Sequence, residues 1–218
     1  MSRIRIAAVF ALVVAPSVLP AQRHSRLSIA LTPAFGLMSP GRDLLLRPGL
    51  DVTKDPESQA LYGVLGGRVT IGFTDRFAIE GDIGLGSSGL KVSSLSAPSG
   101  TAAKVSMVSG RLVYRIKPTS EPSWIAFHAG VASVNHSFTE NSGVVSLVKD
   151  GSSLGAVLGA TLGFRLAGRT AFTITAEDYL YNASFDVART GGIVARSQSL
   201  TQNDIRVMLG IRLAVVGR

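Results

Sequence analysis

Charged residues recur on one side of the alternating segments of this chain, opposite the apolar residues. The set comprises six arginines and three acids: Arg68, Glu80, Asp82, Arg111, Arg115, Arg165, Glu177, Arg206 and Arg212. Side chains two residues apart in a strand share a face, so these charges would collect on a common surface. Acids and arginines brought together there could form buried ion pairs. The excess of arginines would favour anions if the space between them were open.

These charges allow two interpretations, a paired network that holds the protein closed or a narrow path that favours anions. A charge that faces lipid near the middle of a bilayer costs about 2–4 kcal/mol, so the charges of a membrane barrel must face its lumen. An eight-stranded barrel has an interior just wide enough for its own side chains to fill. If the alternating segments close into such a barrel, the charges predict a polar, packed lumen, with the anion path as the alternative.

No motif in the sequence predicts a catalytic, cofactor or metal site. Gly84–Gly89 matches G-x-G-x-x-G, but the Ser-rich stretch Leu90–Ser99 follows it, without the helical period that a dinucleotide site requires. His128 would face inward with no serine or acid two residues away, which predicts a hydrogen-bonded histidine and not a catalytic base. His136 is predicted to lie in a loop. We therefore predict no catalysis, no cofactor and no metal.

The segment Asn203–Val215 indicates which kind of element carries the charges. From Ile205 to Val215 every second residue is apolar, and the residues between them are charged, small or flexible. A tilted strand needs roughly 9–11 residues to cross a bilayer. The segment is long enough, and we predict that it is the closing strand of a membrane barrel.

Seven earlier segments alternate in a similar way. They are Arg26–Gly36, Leu61–Phe73, Phe77–Leu85, Lys104–Ile116, Trp124–Val131, Leu154–Leu166 and Thr170–Leu180. Short connections at 74–76, 117–123 and 167–169 alternate with long polar ones at 37–60, 86–103, 135–153 and 181–202. Barrels of the bacterial outer membrane have short periplasmic turns and longer outer loops. The sequence therefore predicts an all-β fold, an up-and-down antiparallel transmembrane β-barrel of about eight strands.

The composition also favours strands over helices as the membrane-crossing elements. Hydrophobic residues make up 46% of the 218 residues, yet after the first twenty no apolar run approaches the ~18 residues of a spanning helix. The start of the chain has the order of a signal peptide: Arg3 and Arg5, the apolar core Ile6–Val14, and a cleavage site after Ala21. We predict a signal peptide at 1–21 and a barrel domain at 22–218. Export argues against a nucleic-acid partner despite the net charge of +8.

Aromatic residues gather near the ends of the segments. Five lie close to the short connections: Phe73, Phe77, Tyr114, Phe164 and Phe172. Three lie close to the long ones: Phe35, Tyr62 and Tyr181. Aromatic bands are expected at both interfaces of a membrane barrel, so these residues predict a girdle at each end.

This pattern resembles the small eight-stranded bacterial outer-membrane β-barrel family, the OmpA- and OmpX-like barrels. The resemblance covers residues 26–216 and rests on the strands and their connections. It implies a monomer in the outer membrane of a Gram-negative bacterium, surrounded by lipid and lipopolysaccharide and inserted by the barrel-assembly machinery. Such barrels usually end in an aromatic residue that assists assembly, whereas this chain ends in Val215–Arg218.

The role that the resemblance implies is structural or one of surface recognition, without catalysis. A lipid-modifying barrel enzyme is an alternative, because such enzymes need a histidine with a serine or an acid in reach. A soluble ligand-binding barrel such as a lipocalin is a further rival. Its apolar interior would be the reverse of the pattern seen here.

The first short connection also predicts a register. Phe73 and Phe77 belong to the same face, so they should lie opposite each other across the turn 74–76. The facing pairs are then Ile71 with Ile79, Thr70 with Glu80, and Arg68 with Asp82. Arg68 and Asp82 should therefore meet inside the lumen, with Arg111 able to approach Glu80.

Overall fold

The computed structural model describes residues 27–41, 45–46, 56–92, 98–140, 151–187 and 196–216. These residues form ten strands: β1 Ser28–Pro40, β2 Leu45–Leu46, β3 Pro56–Gln59, β4 Tyr62–Gly72, β5 Phe77–Val92, β6 Pro98–Arg115, β7 Ser123–Glu140, β8 Gly151–Ala167, β9 Thr170–Val187 and β10 Arg196–Val216. In the described ranges no helix is long and apolar enough to cross a membrane.

Eight long strands close into a barrel. From β4 to β10, each strand pairs with the next in antiparallel fashion. Strand β1 pairs with both β4 and β10 and so closes the barrel. Closure leaves no long strand with an unpaired edge, which a barrel in lipid requires. The predicted up-and-down barrel of eight strands is confirmed. The short strands β2 and β3, which lie within the predicted loop 37–60, were not foreseen; β3 pairs with the end of β5.

Several strands extend further towards the long connections than predicted. The strand expected to fade after Val131 runs on to Glu140, and the predicted loop 181–202 contributes pairs such as Ala183 with Leu200. Apolar alternation marks only the part of a strand that faces lipid. Beyond it the outward side chains are polar, while the backbone ladder continues. His136, predicted to lie in a loop, is therefore a buried residue of β7.

The short connections follow the prediction. In the turn 74–76 the Thr74 hydroxyl accepts hydrogen bonds from the backbone N–H groups of Arg76 and Phe77, at 3.2 and 2.8 Å. The register on either side is confirmed: Ile71 faces Ile79, Thr70 faces Glu80 and Arg68 faces Asp82. Between β8 and β9 the turn uses Gly168, whose φ of 54° lies in the left-handed region.

Large apolar side chains point outward on all eight long strands, with examples such as Leu65, Ile83, Leu112 and Leu158 exposed. Leaving such side chains in water forgoes about 1.5–3 kcal/mol each, whereas lipid accepts them. This apolar band and the charged residues inside exclude the lipocalin-like alternative.

Exposed aromatic residues form a band at the short-turn end of the barrel, and Phe35, one of the three residues predicted at the other end, is also exposed. Phe73, Phe77, Tyr114 and Phe164 are exposed beside the short turns, and the Phe77 and Tyr114 ring centroids are 5.2 Å apart. At the other end the predicted girdle is wrong for Tyr62 and Tyr181, which are buried. Each of these two residues lies an even number of positions from inward-facing residues of its own strand. Its side chain therefore also points into the lumen.

The lumen has two levels of different chemistry. Near the long connections it is filled by an apolar cluster, the outer plug: Met38, Tyr62, Val64, Ala103, Val105, Met107, Ala132, Val134, Val157, Tyr179, Tyr181, Ala183 and Met208. The predicted lumen charges lie below it, towards the short turns, whereas the buried acid Asp204 lies at the level of the plug and accepts a hydrogen bond from the Tyr181 hydroxyl at 2.6 Å. The predicted packing of the lumen is present at the outer level too, where apolar side chains pack together with buried polar residues such as His136, Gln202 and Asp204.

Candidate functional site in the barrel lumen

Five charged side chains from five strands meet below the outer plug. This lumen network consists of Arg68 on β4, Asp82 on β5, Arg111 on β6, Glu177 on β9 and Arg206 on β10, each at most 5% exposed. Register explains part of the convergence, because Arg68 faces Asp82 and Arg206 faces Glu177 directly across neighbouring strands. The rest follows from the small diameter of an eight-stranded barrel, which brings opposite walls within side-chain reach.

Each of the two acids is shared by all three arginines. Asp82 contacts Arg68 at 3.0 Å, Arg111 at 3.0 Å and Arg206 at 2.5 Å. Glu177 contacts Arg68 at 2.8 Å and Arg206 Nε at 2.7 Å, and it also pairs with Arg111. Charge-assisted bonds of this kind tie five strands together at one level, and each ion is compensated by at least two others.

Neutral groups satisfy further donors of the network. Arg68 donates to the Thr175 hydroxyl at 2.7 Å, and Arg111 donates to the Tyr179 hydroxyl at 3.0 Å. The Arg206 guanidinium lies 5.1 Å from the centroid of the Tyr179 ring. Tyr179 thus contacts both the network and the outer plug, so the charged and apolar levels of the lumen are packed against each other.

The other predicted charges lie closer to the short turns. Glu80 accepts from Thr70 at 3.0 Å and lies 3.6 Å from Arg111, so it borders the network. Arg115 is buried and donates at 3.5 Å to the carbonyls of the turn 74–76. Arg212 lines a small cavity below the network.

Arg165 does not belong to the lumen network, although its position on the polar face of β8 predicted that it would. It is exposed and donates to the carbonyls of Ser120 and Gly168 at 3.1 and 3.2 Å. Its partner across the strands, Ala171, stands one residue after the start of β9. Strand periodicity predicts the face on which a side chain lies but not its position along the barrel axis. Arg165 lies at the end of the barrel that carries the short turns.

The sequence missed a contact between His128 and an acid. His128 Nε2 lies 3.3 Å from Glu177 Oε1, and the two residues come from strands that are separated by β8. Gly159 is the facing residue of both, so no side chain stands between them. A search two residues along the same strand could not find this pair. The signal that could have predicted this pair is the strand register combined with an inward-facing glycine.

Gly159→Ala is therefore expected to lower the unfolding free energy by about 1–3 kcal/mol through overpacking. A methyl group there would meet the His128 ring, lie 2.5 Å from the Ala176 carbonyl oxygen and 2.9 Å from Glu177 Cγ. Urea unfolding from liposomes measures the loss. Gly81→Ala is the matched control, because its new methyl group would point outward with nothing within 4 Å. Equal losses in the two variants would contradict the role of Gly159.

Little space remains around the network. The cavity below it has a volume of about 20 Å³, enough for about one water molecule. His128, Thr161 and Arg212 are among its lining residues. In the described ranges His, Asp and Glu side chains form no group that could hold a metal ion.

No protein-family model and no curated protein matches the sequence, whereas several solved structures share its fold. The outer membrane protein OprG from Pseudomonas aeruginosa superposes with a TM-score of 0.63 at 14% identity, over 88% of this chain and 98% of OprG. The chain therefore has the fold of the small eight-stranded outer-membrane β-barrels. The outer membrane protein AlkL matches 94% of this barrel and 98% of its own chain, with a TM-score of 0.55 at 14% identity. The E. coli outer membrane protein W matches 87% of this barrel and 98% of its own chain, with a TM-score of 0.50 at 14% identity.

The predicted resemblance is confirmed by these structures. All three proteins carry the outer membrane in their names, and the apolar band of this barrel suits the same location. At such low identity the likeness extends to the fold and not to the function of individual residues.

Proposed function

We propose that this protein is a non-catalytic, monomeric outer-membrane barrel with a closed lumen, and that its role is structural or one of surface recognition. The observation that carries the proposal is the filling of the lumen at two successive levels. The lumen network occupies one level with mutually paired ions, and the outer plug occupies the next with apolar side chains.

An ion could pass this lumen only at a high energetic cost. At the network it would compete with arginines and acids that already compensate each other at 2.5–3.0 Å. At the outer plug it would meet closely packed side chains, of which Met38, Val134 and Val157 are fully buried. Moving an ion out of water without compensation is strongly unfavourable. The packing therefore supports a barrel whose lumen is closed to ions.

The end of the barrel at the long connections is the part available for recognition. Strands β5 to β10 continue there beyond the apolar band, and their outward residues, such as Ser87, Lys104, Ser137 and Thr201, are exposed. The connecting segments 93–97, 141–150 and 188–195 lie outside the described residues. On the proposed topology this end of the barrel faces the cell exterior and the lipopolysaccharide layer, after insertion by the barrel-assembly machinery.

The refolded protein is expected to produce no conductance steps in planar lipid bilayers. Both lumen levels must be open at once for ions to pass, and both are packed. A wide porin in the same bilayers is the positive control, and refolding is verified by migration on unheated gels. Ohmic steps that scale with salt concentration would contradict the closed lumen.

The same recording tests the alternative of a narrow anion-favouring path. The lumen holds five arginines, Arg68, Arg111, Arg115, Arg206 and Arg212, against four acids, Glu80, Asp82, Glu177 and Asp204. Any path through it would therefore prefer anions. A reversal potential that shifts towards the chloride potential in a KCl gradient would favour this function over the closed barrel.

A lipid-modifying activity is less well supported by the site. His128 and Glu177 are close enough to act together, but they are 5% and 2% exposed inside the lumen, where a lipid ester could not reach them. Lipid A from a deletion strain is expected to keep its mass. A mass shift that the restored gene reverses would establish an enzyme instead.

A barrel with a shortened connection separates the structural role from recognition. Segment 141–150 is replaced by a short Gly-Ser turn, while β7 and β8 are kept. A structural role predicts that this variant restores the detergent resistance of a deletion strain. A recognition role through this segment predicts normal insertion without restored surface binding.

A further inference from the structure

The barrel mouth at the short turns contains a cavity lined by three arginines. It has a volume of about 250 Å³, and its lining residues are Thr119, Arg165, Gly168, Arg169, Thr170, Ala171, Arg212 and Ala214. None of these lining residues is acidic. The cavity is separated from the outer end of the lumen by the lumen network and the outer plug, so it opens only towards the short turns.

Two of the three guanidinium groups are oriented by uncharged partners. Arg165 donates to the carbonyls of Ser120 and Gly168 at 3.1 and 3.2 Å. Arg169 donates to the carbonyl of Val215 at 3.4 Å. Carbonyl groups restrict the guanidinium forks without neutralising their charge. Each fork has five N–H donors, so several donors of Arg165 and Arg169 remain for a ligand.

Arg212 is the innermost of the three and lies half-buried between two cavities. It lines the mouth cavity and also the cavity below the lumen network. Within the described ranges no carboxylate lies within ion-pair distance of it. The charged groups that face it are Arg115, which repels it, and Glu80, which already borders Arg111 and Thr70. A partly desolvated cation without a paired acid is a costly arrangement that a bound anion would relieve.

We propose that the barrel mouth is a binding site for an oxyanion of the phosphate class, held by Arg165, Arg169 and Arg212. Planar guanidinium forks bind phosphate oxygens in bidentate fashion, and three converging forks would match a group with several equivalent oxygens. The volume suits a phosphate group and its first substituent. The bound group stops at the mouth because the lumen network closes the path above it, so the site differs from an anion channel.

The phosphate group could come from two sources. One is a small phosphate compound of the periplasm, which would enter the open mouth. The other is the headgroup of a phospholipid in the inner leaflet, since the outward residues Leu166, Leu213 and Val215 near the mouth are exposed as lipid-facing residues are. Both sources present the same oxyanion to the same arginines.

The test uses full-length mature protein refolded in dodecyl maltoside, a detergent without phosphate. Inorganic phosphate is titrated at constant ionic strength against chloride, and arginine Nε–H signals are followed by NMR. Saturable shifts are expected in the wild type. Binding should weaken by about tenfold or more in Arg212→Gln, and likewise in Arg165→Gln, an exposed position where the substitution leaves the barrel intact. Arg76→Gln, which removes one positive charge from another short turn, should bind as the wild type does.

A second titration with a short-chain phosphatidylglycerol in the same micelles separates the sources. Shifts with this lipid but not with inorganic phosphate assign the site to headgroups, and the reverse assigns it to a soluble phosphate compound. If both probes cause shifts and compete with each other, the two bind at one shared site. Absence of saturable shifts with either probe, or equal weakening in Arg76→Gln, would overturn the proposal.

Discussion

Glu177→Ala is expected to lower the unfolding free energy by about 3–5 kcal/mol, because it removes one partner of a buried ion pair and leaves the others uncompensated. Three arginines and His128 lose their contact with Glu177 at once. The network then holds three arginines against Asp82, with Glu80 at its border 3.6 Å from Arg111. The Glu177 side chain is fully buried, so the charges that it compensates are also away from bulk water.

Urea unfolding from liposomes measures this loss through the fluorescence of Trp124, the single tryptophan of the chain, which lies buried in the lumen. Glu121→Ala is the matched control, since it removes one acid from an exposed turn between β6 and β7. Surface charges of that kind contribute about 0–1 kcal/mol. A loss for Glu177→Ala no larger than that of the control would show that the network does not hold the barrel closed.

The fold could be predicted from the sequence where lipid imposes a pattern. Between Ile205 and Val215 every outward residue is apolar, as a lipid-facing surface requires, so apolar alternation marks the strand without ambiguity. The register of β4 and β5 could also be predicted, because the short turn 74–76 leaves a single way to keep Phe73 and Phe77 on one face. The alternation stops where the strands enter water, and for that reason the ends of β7 and β9 were missed.

The site was less predictable, because its contacts cross the lumen. Strand periodicity places Arg68, Arg165 and Glu177 on the inner face but gives neither their heights nor their partners on the opposite wall. Arg165 was therefore grouped with a network that lies deeper in the barrel. The contact between His128 and Glu177 depends on Gly159, a residue without a side chain, and its effect appears only when three strands are aligned.

The outer plug was missed for a related reason. Val105 and Met107 alternate with the outward residues Lys104, Ser106 and Val108, so apolar residues on β6 change from the inner to the outer face. The change marks the height at which the strand leaves the lipid. A pattern considered over the whole strand averages the two parts, and it therefore did not predict the apolar side chains of the outer level.

A double-mutant cycle on Arg68 and Asp82 tests the predicted register and the network together. Asp82→Ala and Arg68→Ala are each expected to destabilise the barrel, with losses of up to about 3–5 kcal/mol. Asp82→Ala should be the more damaging, because it leaves three arginines against Glu177. Arg68→Ala leaves two arginines against two acids, a set whose charges still balance.

The double variant is expected to lose less than the sum of the single losses, with a coupling of about 0.5–3 kcal/mol. In each single variant the remaining partner stays buried without its contact at 3.0 Å, whereas in the double variant neither remains and Arg111, Arg206 and Glu177 can still pair. The cycle Arg68→Ala with Glu121→Ala is the control, since Glu121 lies in an exposed turn and its loss should add to that of Arg68. Strict additivity in the Arg68 and Asp82 cycle would mean that the two side chains do not meet, and the register set by the turn 74–76 would then be wrong as well.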